Sequence, residues 1–278
     1  MRVVPLLLLG LSAAACTKKP APATSTAMTT APQEVAITAT DFAYQLPATP
    51  VHAGLTTFTL VNQGTEVHHA TLVRLEDGKT VGDYMTALQS AGPPPAWGVP
   101  VGGPNAAPPG GEANTTLVLE PGSYAVVCFI PSPDGVPHMA KGMVLGLEVQ
   151  PATGPVAALP AGDIQLTLLD YSFAFSQPPT AGTHTFTVTN QGKEVHEVVL
   201  VKLAPGMTAE QVGAWYMGGE KGPPPGMPVG GVAGMVPGQV ENFSANLEPG
   251  TYGMLCFAPA PDGAPHFVHG MAVTFTVS

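Results

Sequence analysis

The sequence is poor in charged residues, and positive charge is especially scarce. Only 10% of the 278 residues are charged, and 9 Lys and Arg against 19 Asp and Glu give a formal net charge of -10. No long basic cluster is present, which argues against binding to nucleic acid. An acidic surface of this kind favours a basic partner.

Uninterrupted stretches suited to long helices are also lacking, because 33 Gly and 32 Pro break up the chain. Short segments of strand composition, such as E-V-A-I-T-A-T and S-Y-A-V-V-C-F, alternate instead with the turn formers Asn-Gln-Gly, Glu-Pro-Gly and Pro-Asp-Gly. The length is sufficient for two ordinary domains with their own cores. We therefore predict an all-β protein.

No apolar run is long enough to span a membrane, and the most apolar segment is the opening M-R-V-V-P-L-L-L-L-G-L-S-A-A-A-C. This segment predicts a secretory leader over residues 1–16, and small residues ahead of Cys16 resemble the lipobox of bacterial lipoproteins. Cleavage near Ala15 that leaves a free thiol is the alternative. Residues 17–33, rich in Pro, Ala and Thr, predict a flexible tether. We expect an exported protein, lipid-anchored through Cys16 in the periplasm or on the cell surface.

The chain contains an internal duplication. The stretch Cys128–Met143 reads C-F-I-P-S-P-D-G-V-P-H-M-A-K-G-M, and it returns as C-F-A-P-A-P-D-G-A-P-H-F-V-H-G-M at Cys256–Met271. The same offset relates His68, in N-Q-G-T-E-V-H, to His196, in N-Q-G-K-E-V-H. The duplication predicts two β domains, over residues 34–150 and 163–278, with a linker at 151–162.

Cysteine is scarce enough to be informative. Once Cys16 is assigned to the leader, Cys128 and Cys256 leave one thiol per repeat, so no disulfide can form within a domain. An exported compartment oxidises free thiols, and metal ligation is a reason to keep one there. The alternatives are a buried, inert cysteine and a bridge between Cys128 and Cys256.

Each repeat combines two His, one Cys and one Met at matched positions, which is the ligand set of a blue-copper site. The candidate ligands are His68, Cys128, His138 and Met143 in the first repeat and His196, Cys256, His266 and Met271 in the second. Methionine disfavours zinc, which takes Cys, His or carboxylate ligands. His69 corresponds to Glu197, and His269 corresponds to Lys141, so neither is expected to be a ligand. We predict one copper ion in each domain, and therefore up to two per chain.

Each repeat also has one segment with helical character. T-A-E-Q from Thr208 is a capping-box pattern, and T-V-G-D from Thr80 is a weaker equivalent. Long Pro- and Gly-rich loops follow at 92–111 and 222–238. We interpret these loops as covers over the sandwich edges rather than as substrate sites.

The pattern N-x-G-x-x-x-H, followed by Y-x-x-x-C with a downstream His and Met, resembles the cupredoxins, which include plastocyanin, azurin and the type 1 copper domains of nitrite reductase. The resemblance covers nearly all of both repeats. It implies two tandem Greek-key β sandwiches in which the eight candidate ligands form two blue-copper sites. The nine residues between Cys128 and His138 exceed the interval in plastocyanin and are closer to the nitrite reductase loop.

The residues beside each cysteine bear on catalysis. Copper oxidases and nitrite reductases couple the blue site to a second centre through a histidine adjacent to the cysteine, whereas Cys128 has Val127 and Phe129 as neighbours and Cys256 has Leu255 and Phe257. The sequence thus predicts that the chain is not an enzyme.

Outer-sphere electron transfer at the cell envelope is the expected function instead. Electrons would leave through an exposed edge of His138 or His266 to a partner such as a cytochrome. Two alternatives stay open. One is copper buffering or delivery, suggested by methionines of the second repeat at Met207, Met217, Met227 and Met235. The other is a metal-free β protein that acts in adhesion.

Overall fold

A computed structural model describes residues 31–90 and 94–278, together with Met1. The predicted leader, the lipidation of Cys16 and most of the predicted tether lie outside the described residues. Among the residues that are described, no helix is both long enough and apolar enough to cross a membrane.

Within the described residues, the first repeat contains nine strands and one α-helix. They are β1 (Gln33–Thr40), β2 (Ala43–Gln45), β3 (Val51–His52), β4 (Gly54–Asn62), β5 (Thr71–Leu75), α1 (Val81–Leu88), β6 (Gly98–Pro100), β7 (Glu112–Leu119), β8 (Gly122–Val127) and β9 (Val144–Gln150). The second repeat follows the same order with eight strands and one α-helix, because β3 has no counterpart there. Its elements are β10 (Ile164–Leu169), β11 (Ser172–Phe175), β12 (Gly182–Asn190), β13 (His196–Leu203), α2 (Ala209–Met217), β14 (Gly226–Met235), β15 (Val240–Leu247), β16 (Gly250–Leu255) and β17 (Ala272–Val277).

Each repeat is a sandwich of two sheets. In the first repeat, β2-β1-β4-β7 faces β3-β9-β8-β5-β6, and in the second, β11-β10-β12-β15 faces β14-β13-β16-β17. The alternating inward residues of both sheets form one apolar core per repeat, with Phe58 and Tyr124 in the first core and Phe186 and Tyr252 in the second. The predicted all-β sandwich is confirmed.

Both predicted helices are present, and each begins at its predicted cap. Thr80 and Thr208 are the N-caps, and a reciprocal capping box forms with Asp83 in α1 and with Gln211 in α2. The capping residues alone locate these helix starts, because each box satisfies backbone N–H groups at a helix terminus.

The two repeats are joined more closely than a simple tandem arrangement implies. Strand β7 pairs with β15 through Thr116 and Asn242, so one eight-stranded sheet runs through both repeats. The Gly102 N–H donates to the Gly234 carbonyl, and the Ala233 N–H donates to the Gly103 carbonyl. The domain boundaries stay a prediction, but the repeats share backbone hydrogen bonds.

These contacts correct the interpretation of the second long segment as a loop. Residues Gly226–Met235 form β14, which pairs with β13, and part of the matching segment of the first repeat forms β6. Glycine permits this pairing because Gly231 has a φ of 139° and lies directly against the Val198 carbonyl. The segments line the junction between the repeats.

Glu241 is a fully buried carboxyl group at this junction. It accepts hydrogen bonds from the Gly103 N–H, the Thr115 hydroxyl and the Gln239 amide, all of which are neutral. Burial raises the pKa of Glu241 to about 8. The folded state therefore keeps a proton that the unfolded chain releases above pH 4.5. The contribution of Glu241 to folding stability should therefore decrease as the pH rises from 4.5 to about 8, and it should stay constant above pH 8.

We expect the Glu241→Gln substitution to remove this pH dependence. Relative to the variant, the wild type should lose on the order of 3 kcal/mol of unfolding free energy between pH 5 and pH 8. Urea denaturation of both proteins at the two pH values measures the difference. Glu120→Gln, at an exposed position, is the matched control and should show little change. A constant difference between wild type and Glu241→Gln would mean that the group ionises normally.

Candidate metal centres

The loop after Cys128 folds back on the cysteine. Cys128 follows directly on β8, its N–H donates to the Met143 carbonyl at 3.2 Å, and its carbonyl accepts from the Met139 N–H at 2.9 Å. A 3₁₀ helix over His138–Lys141 and a left-handed Gly142 (φ 110°) shape the return. His138 and Met143 are therefore brought back beside the cysteine.

The second repeat builds the same loop. The Cys256 N–H donates to the Met271 carbonyl at 3.2 Å, a 3₁₀ helix spans His266–His269, and Gly270 has a φ of 106°. The internal match of the sequence thus extends to the backbone. The residues of this loop are close together along the sequence, so their spacing alone could predict which of them meet.

The upstream histidine is held by the Asn-Gln-Gly turn. Buried Asn62 accepts from the Gly64 N–H at 2.8 Å and donates to the carbonyls of Glu66 and Ala107. A Cβ at Gly64 would lie 2.2 Å from an Asp41 oxygen and 2.8 Å from His68 Nε2, so this position requires glycine. The motif N-x-G-x-x-x-H is therefore a scaffold for His68.

Asn190 and Gly192 repeat this arrangement around His196. Asn190 accepts from the Gly192 N–H at 2.9 Å and donates to the Glu194 and Met235 carbonyls at 2.8 Å. His196 itself begins β13, whereas His68 precedes β5 and forms only an isolated bridge with Ala107.

Three donor atoms converge in each repeat. His68 Nδ1 lies 3.0 Å from His138 Nδ1, which lies 3.4 Å from Cys128 Sγ. In the second repeat, the corresponding distances among His196, His266 and Cys256 are again 3.0 and 3.4 Å. In each trio the three donor atoms lie within 4.8 Å of one another, and all three side chains are fully buried.

A carboxylate holds the far side of each imidazole in the first repeat. His68 Nε2 donates to Asp41 at 2.9 Å, and His138 Nε2 donates to Glu66 at 2.8 Å. Burial by itself would raise the pKa of Asp41, but hydrogen bonds from Thr65 and His68 hold it well below its usual value. The Asp41 carboxylate therefore stays available as an acceptor for the His68 N–H.

The second repeat has equivalent carboxylates. His196 Nε2 lies 2.7 Å from Asp170, and His266 Nε2 lies 2.9 Å from Glu194. None of these four acids was predicted. A signal was present, because Glu66 and Glu194 occupy matched positions, two residues before His68 and His196.

These contacts fit a bound cation. When Nε2 carries the proton, the neutral ring has a free lone pair on Nδ1, and both Nδ1 atoms then face each other with no hydrogen between them. Burial lowers the pKa of both His68 and His138, so protonation does not relieve this opposition. A carboxylate behind each histidine is also the common arrangement at protein metal sites.

The thiols complete the donor sets. Cys128 and Cys256 are both free and fully buried, so the alternative of a bridge between them is wrong. Burial raises the pKa of Cys128 to about 12 and raises that of Cys256 further. A neighbouring cation stabilises the thiolate that burial disfavours. Two imidazoles and a thiolate are a donor set that fits copper.

Met143 and Met271 are fully buried and belong to the same cores as the cysteines. Their backbone hydrogen bonds to Cys128 and Cys256 place them beside the donor trios. Their role as copper ligands stays a prediction.

The expected route through an exposed edge of His138 or His266 is wrong, because both side chains are fully buried. Phe42 covers His138 with a ring-centroid distance of 5.1 Å, and Tyr171 covers His266 at 4.7 Å. The half-buried carboxylates and these rings therefore separate the imidazoles from solvent.

His69, which was not expected to be a ligand, and its counterpart Glu197 take equivalent structural positions. The Phe129 N–H donates to His69 Nε2 at 2.8 Å, and the Phe257 N–H donates to Glu197 at 2.9 Å. Each buried side chain thus accepts from the residue that follows the cysteine. The chemical difference between His and Glu concealed this equivalence in the sequence.

The centres differ in one further feature. The Tyr44 hydroxyl donates to the His69 carbonyl and also lies against the Cys128 thiol. Phe173 occupies the equivalent place in the second repeat and has no hydroxyl. Hydrogen bonding around a cysteine sulfur tunes copper sites, so the two centres are not chemically identical.

No family model matches this chain, and no curated protein matches it. Solved structures similar to it include reduced auracyanin from Roseiflexus castenholzii, with 23% identity over 44% of this chain and all of that chain, and a TM-score of 0.31. A blue copper oxidase from Nitrosomonas europaea is 17% identical over 89% of this chain and 86% of its own, with a TM-score of 0.27. A copper nitrite reductase from Nitrosomonas europaea is 13% identical over 89% and 94%, with a TM-score of 0.24.

The prediction that the chain is not an enzyme is wrong. The structure brings together two groups of one Cys and two His, and each group could hold a redox-active metal ion. The physical reason is that Val127 and Leu255 remove only one route to a second centre. They do not remove redox chemistry at the two groups themselves.

Each repeat is a two-sheet sandwich that brings a buried Cys and two buried His together. The chain therefore consists of two β sandwiches in tandem, each with a donor set that fits copper, as the resemblance of its motifs to those of cupredoxins implies.

Proposed function

We propose that this protein transfers electrons through two type 1 copper sites, one in each repeat. The observation that supports this most is the twofold occurrence of a buried Sγ and two opposed Nδ1 atoms, all within 4.8 Å. The ligands would be His68, Cys128, His138 and Met143 in the first site and His196, Cys256, His266 and Met271 in the second. Copper would supply a one-electron couple between Cu(II) and Cu(I).

The chain's own residues limit reorganisation at such a site. The carboxylates fix the rotation and tautomer of each imidazole, and the loop hydrogen bonds hold the cysteine and the second histidine in one backbone unit. Full burial keeps water away from the sulfur. Such a preformed site favours rapid electron exchange over ligand exchange.

Titration of purified protein with Cu(II) tests the proposal. We expect about two copper ions per chain and an intense thiolate-to-copper absorption band, with the small hyperfine splitting of a type 1 centre in electron paramagnetic resonance. Protein that binds only Cu(I) and stays colourless would support copper buffering. Absence of binding would contradict both copper roles.

A role in copper delivery is the second candidate, because Met207, Met217 and Met227 are exposed on the second repeat. Only Met235 of this set fills the core. Thioethers bind Cu(I) well, and an exposed group could accept it from a donor protein.

The carboxylates should set the reduction potential. We expect Glu66→Gln to raise the potential of the first site, because loss of a negative charge behind His138 favours the reduced, less positive metal. Spectroelectrochemical titration in a Cys256→Ser background measures the first site alone.

Glu148→Gln is the control for this substitution, since Glu148 is an exposed carboxylate on β9 that bonds to Ser123. It should leave the potential almost unchanged. An equal shift in both variants would show that only net charge matters, and no shift in Glu66→Gln would exclude a tuning role for this carboxylate.

We further propose that the protein is exported and anchored by a lipid on Cys16. The leader and the small residues before Cys16 support this. Incorporation of labelled fatty acid that is lost in Cys16→Ser tests the anchor.

Half-buried Asp41 and Glu66 lie behind the first site, which favours a basic redox partner such as a cytochrome.

A further inference from the structure

A buried chain of hydrogen bonds connects the two candidate sites. The Phe129 N–H donates to His69 Nε2 at 2.8 Å, and His69 Nδ1 lies 3.3 Å from Asn105 Oδ1. Asn105 Nδ2 donates to Glu197 at 3.2 Å, and the other Glu197 oxygen accepts from the Phe257 N–H at 2.9 Å. Phe129 and Phe257 are the residues that follow the two cysteines. The hydrogen bonds through His69, Asn105 and Glu197, which we call the bridge, therefore lead from one cysteine to the other.

The donors and acceptors of this chain are consistent throughout. His69 accepts on Nε2, so its proton is on Nδ1 and points at the Asn105 carbonyl oxygen. Asn105 then donates through its amide to Glu197. The exposed fractions of His69, Asn105 and Glu197 are 6%, 1% and 8%. Aligned hydrogen bonds in such a dry environment polarise one another.

The bridge also uses the positions at which the two repeats differ. His69 corresponds to Glu197, and Asn105 corresponds to Ala233. The bridge needs a donor at one end and an acceptor at the other. His69 donates to the Asn105 oxygen, and Glu197 accepts from the Asn105 amide, so two repeats with the same residue at this position could not form it. The two hydrogens of the Asn105 amide are shared among Glu197 and the carbonyls of Val198 and Val232, each 3.2 Å away, and these contacts hold the amide in place.

We infer that His69, Asn105 and Glu197 form the route by which the two copper sites exchange electrons. This inference rests on the proposed function. With copper bound in both repeats, one site would be oxidised from Cu(I) to Cu(II) and the other would be reduced from Cu(II) to Cu(I) by the same electron. The bridge itself is neither oxidised nor reduced, and no proton leaves it. Its hydrogen bonds replace through-space gaps between the cysteine backbones.

Partial reduction of copper-loaded protein by pulse radiolysis tests the route. The difference between Tyr44 and Phe173 should make the two absorption bands distinguishable, and Cys128→Ser and Cys256→Ser give the spectrum of each site alone. Wild type should show a first-order redistribution between the bands at a rate independent of protein concentration. In Asn105→Leu this rate should fall at least about tenfold.

Asn114→Leu is the matched control. Asn114 also spans the repeats, since it exchanges two hydrogen bonds of 2.9 Å with the Ser244 backbone, but it is no part of the bridge. The redistribution rate in this variant should equal that of wild type. A purely structural role of Asn105 predicts altered copper bands or a lower melting temperature of the copper-free variant, with no specific loss of the intramolecular phase.

Three results would overturn the inference while leaving the proposed function intact. They are a wild-type rate in Asn105→Leu, an equal slowing in Asn114→Leu, and a wild-type redistribution that depends on protein concentration. If Asn105→Leu does not fold, Glu197→Gln breaks the bridge at its other end, because the NH₂ group that replaces one carboxylate oxygen is a donor and faces either the Asn105 amide or the Phe257 N–H. A wild-type rate in that variant would equally contradict the route. Absence of the copper bands would instead contradict the proposed function.

Discussion

The Cys128→Ser variant should bind about one copper ion per chain with type 1 character, and its intense visible band should be about half that of wild type. A serine hydroxyl does not replace a thiolate as a copper ligand, and the fully buried site offers no other sulfur anion. Cys256→Ser should remove the other half of the band, and the double variant should be colourless. Visible absorption and copper analysis of the three variants measure this effect.

His184→Ala is the control for these substitutions. His184 pairs with Asp163 and belongs to neither donor trio, so the variant should keep both bands. Full intensity in Cys128→Ser would show that the first repeat has no copper–thiolate bond. Loss of both bands in a single variant would show that the sites do not form independently.

Much of each site could be predicted from the sequence because its information is local. Cys128, His138 and Met143 lie in one loop, and the duplicated loop at Cys256–Met271 repeats their spacing. The N-caps Thr80 and Thr208 were equally visible, since a capping box spans only four residues. Duplication made each of these local patterns testable against a second copy.

Contacts between distant segments could not be predicted in this way. Asp41 meets His68 across the sandwich, and nothing in the spacing of the first strand specifies this pairing. The burial of His138 depends likewise on Phe42, a residue of a different sheet edge. Long-range side-chain partners of this kind depend on sheet packing rather than on any motif.

The join between the repeats was hidden for a related reason. β7 and β15 are both edge strands of their own repeats, and edge strands pair through backbone groups that carry no side-chain signature. His69 and Glu197 were discounted because their types differ, yet they accept the same kind of hydrogen bond. Comparison of residue types identifies ligands well and their supporting contacts poorly.

The Gly231→Ala variant should be destabilised by about 3–5 kcal/mol, which is a large effect for a single methyl group. Gly231 has a φ of 139°, which a residue with a side chain rarely adopts. A Cβ there would also lie 1.8 Å from the Val198 carbonyl oxygen, and this backbone atom belongs to β13 and cannot move freely. Chemical denaturation of the copper-free protein measures the loss.

Gly230→Ala separates these two causes. Gly230 has a similar φ of 129°, but a Cβ there would meet nothing within 4 Å. Only the backbone strain of about 1–3 kcal/mol should therefore remain. Equal losses in the two variants would attribute the effect to the backbone alone. A larger loss in Gly231→Ala would show that the close approach of β14 to β13 is what requires glycine. The Gly231 carbonyl also accepts from the Asn105 N–H, so this approach positions the junction between the two repeats.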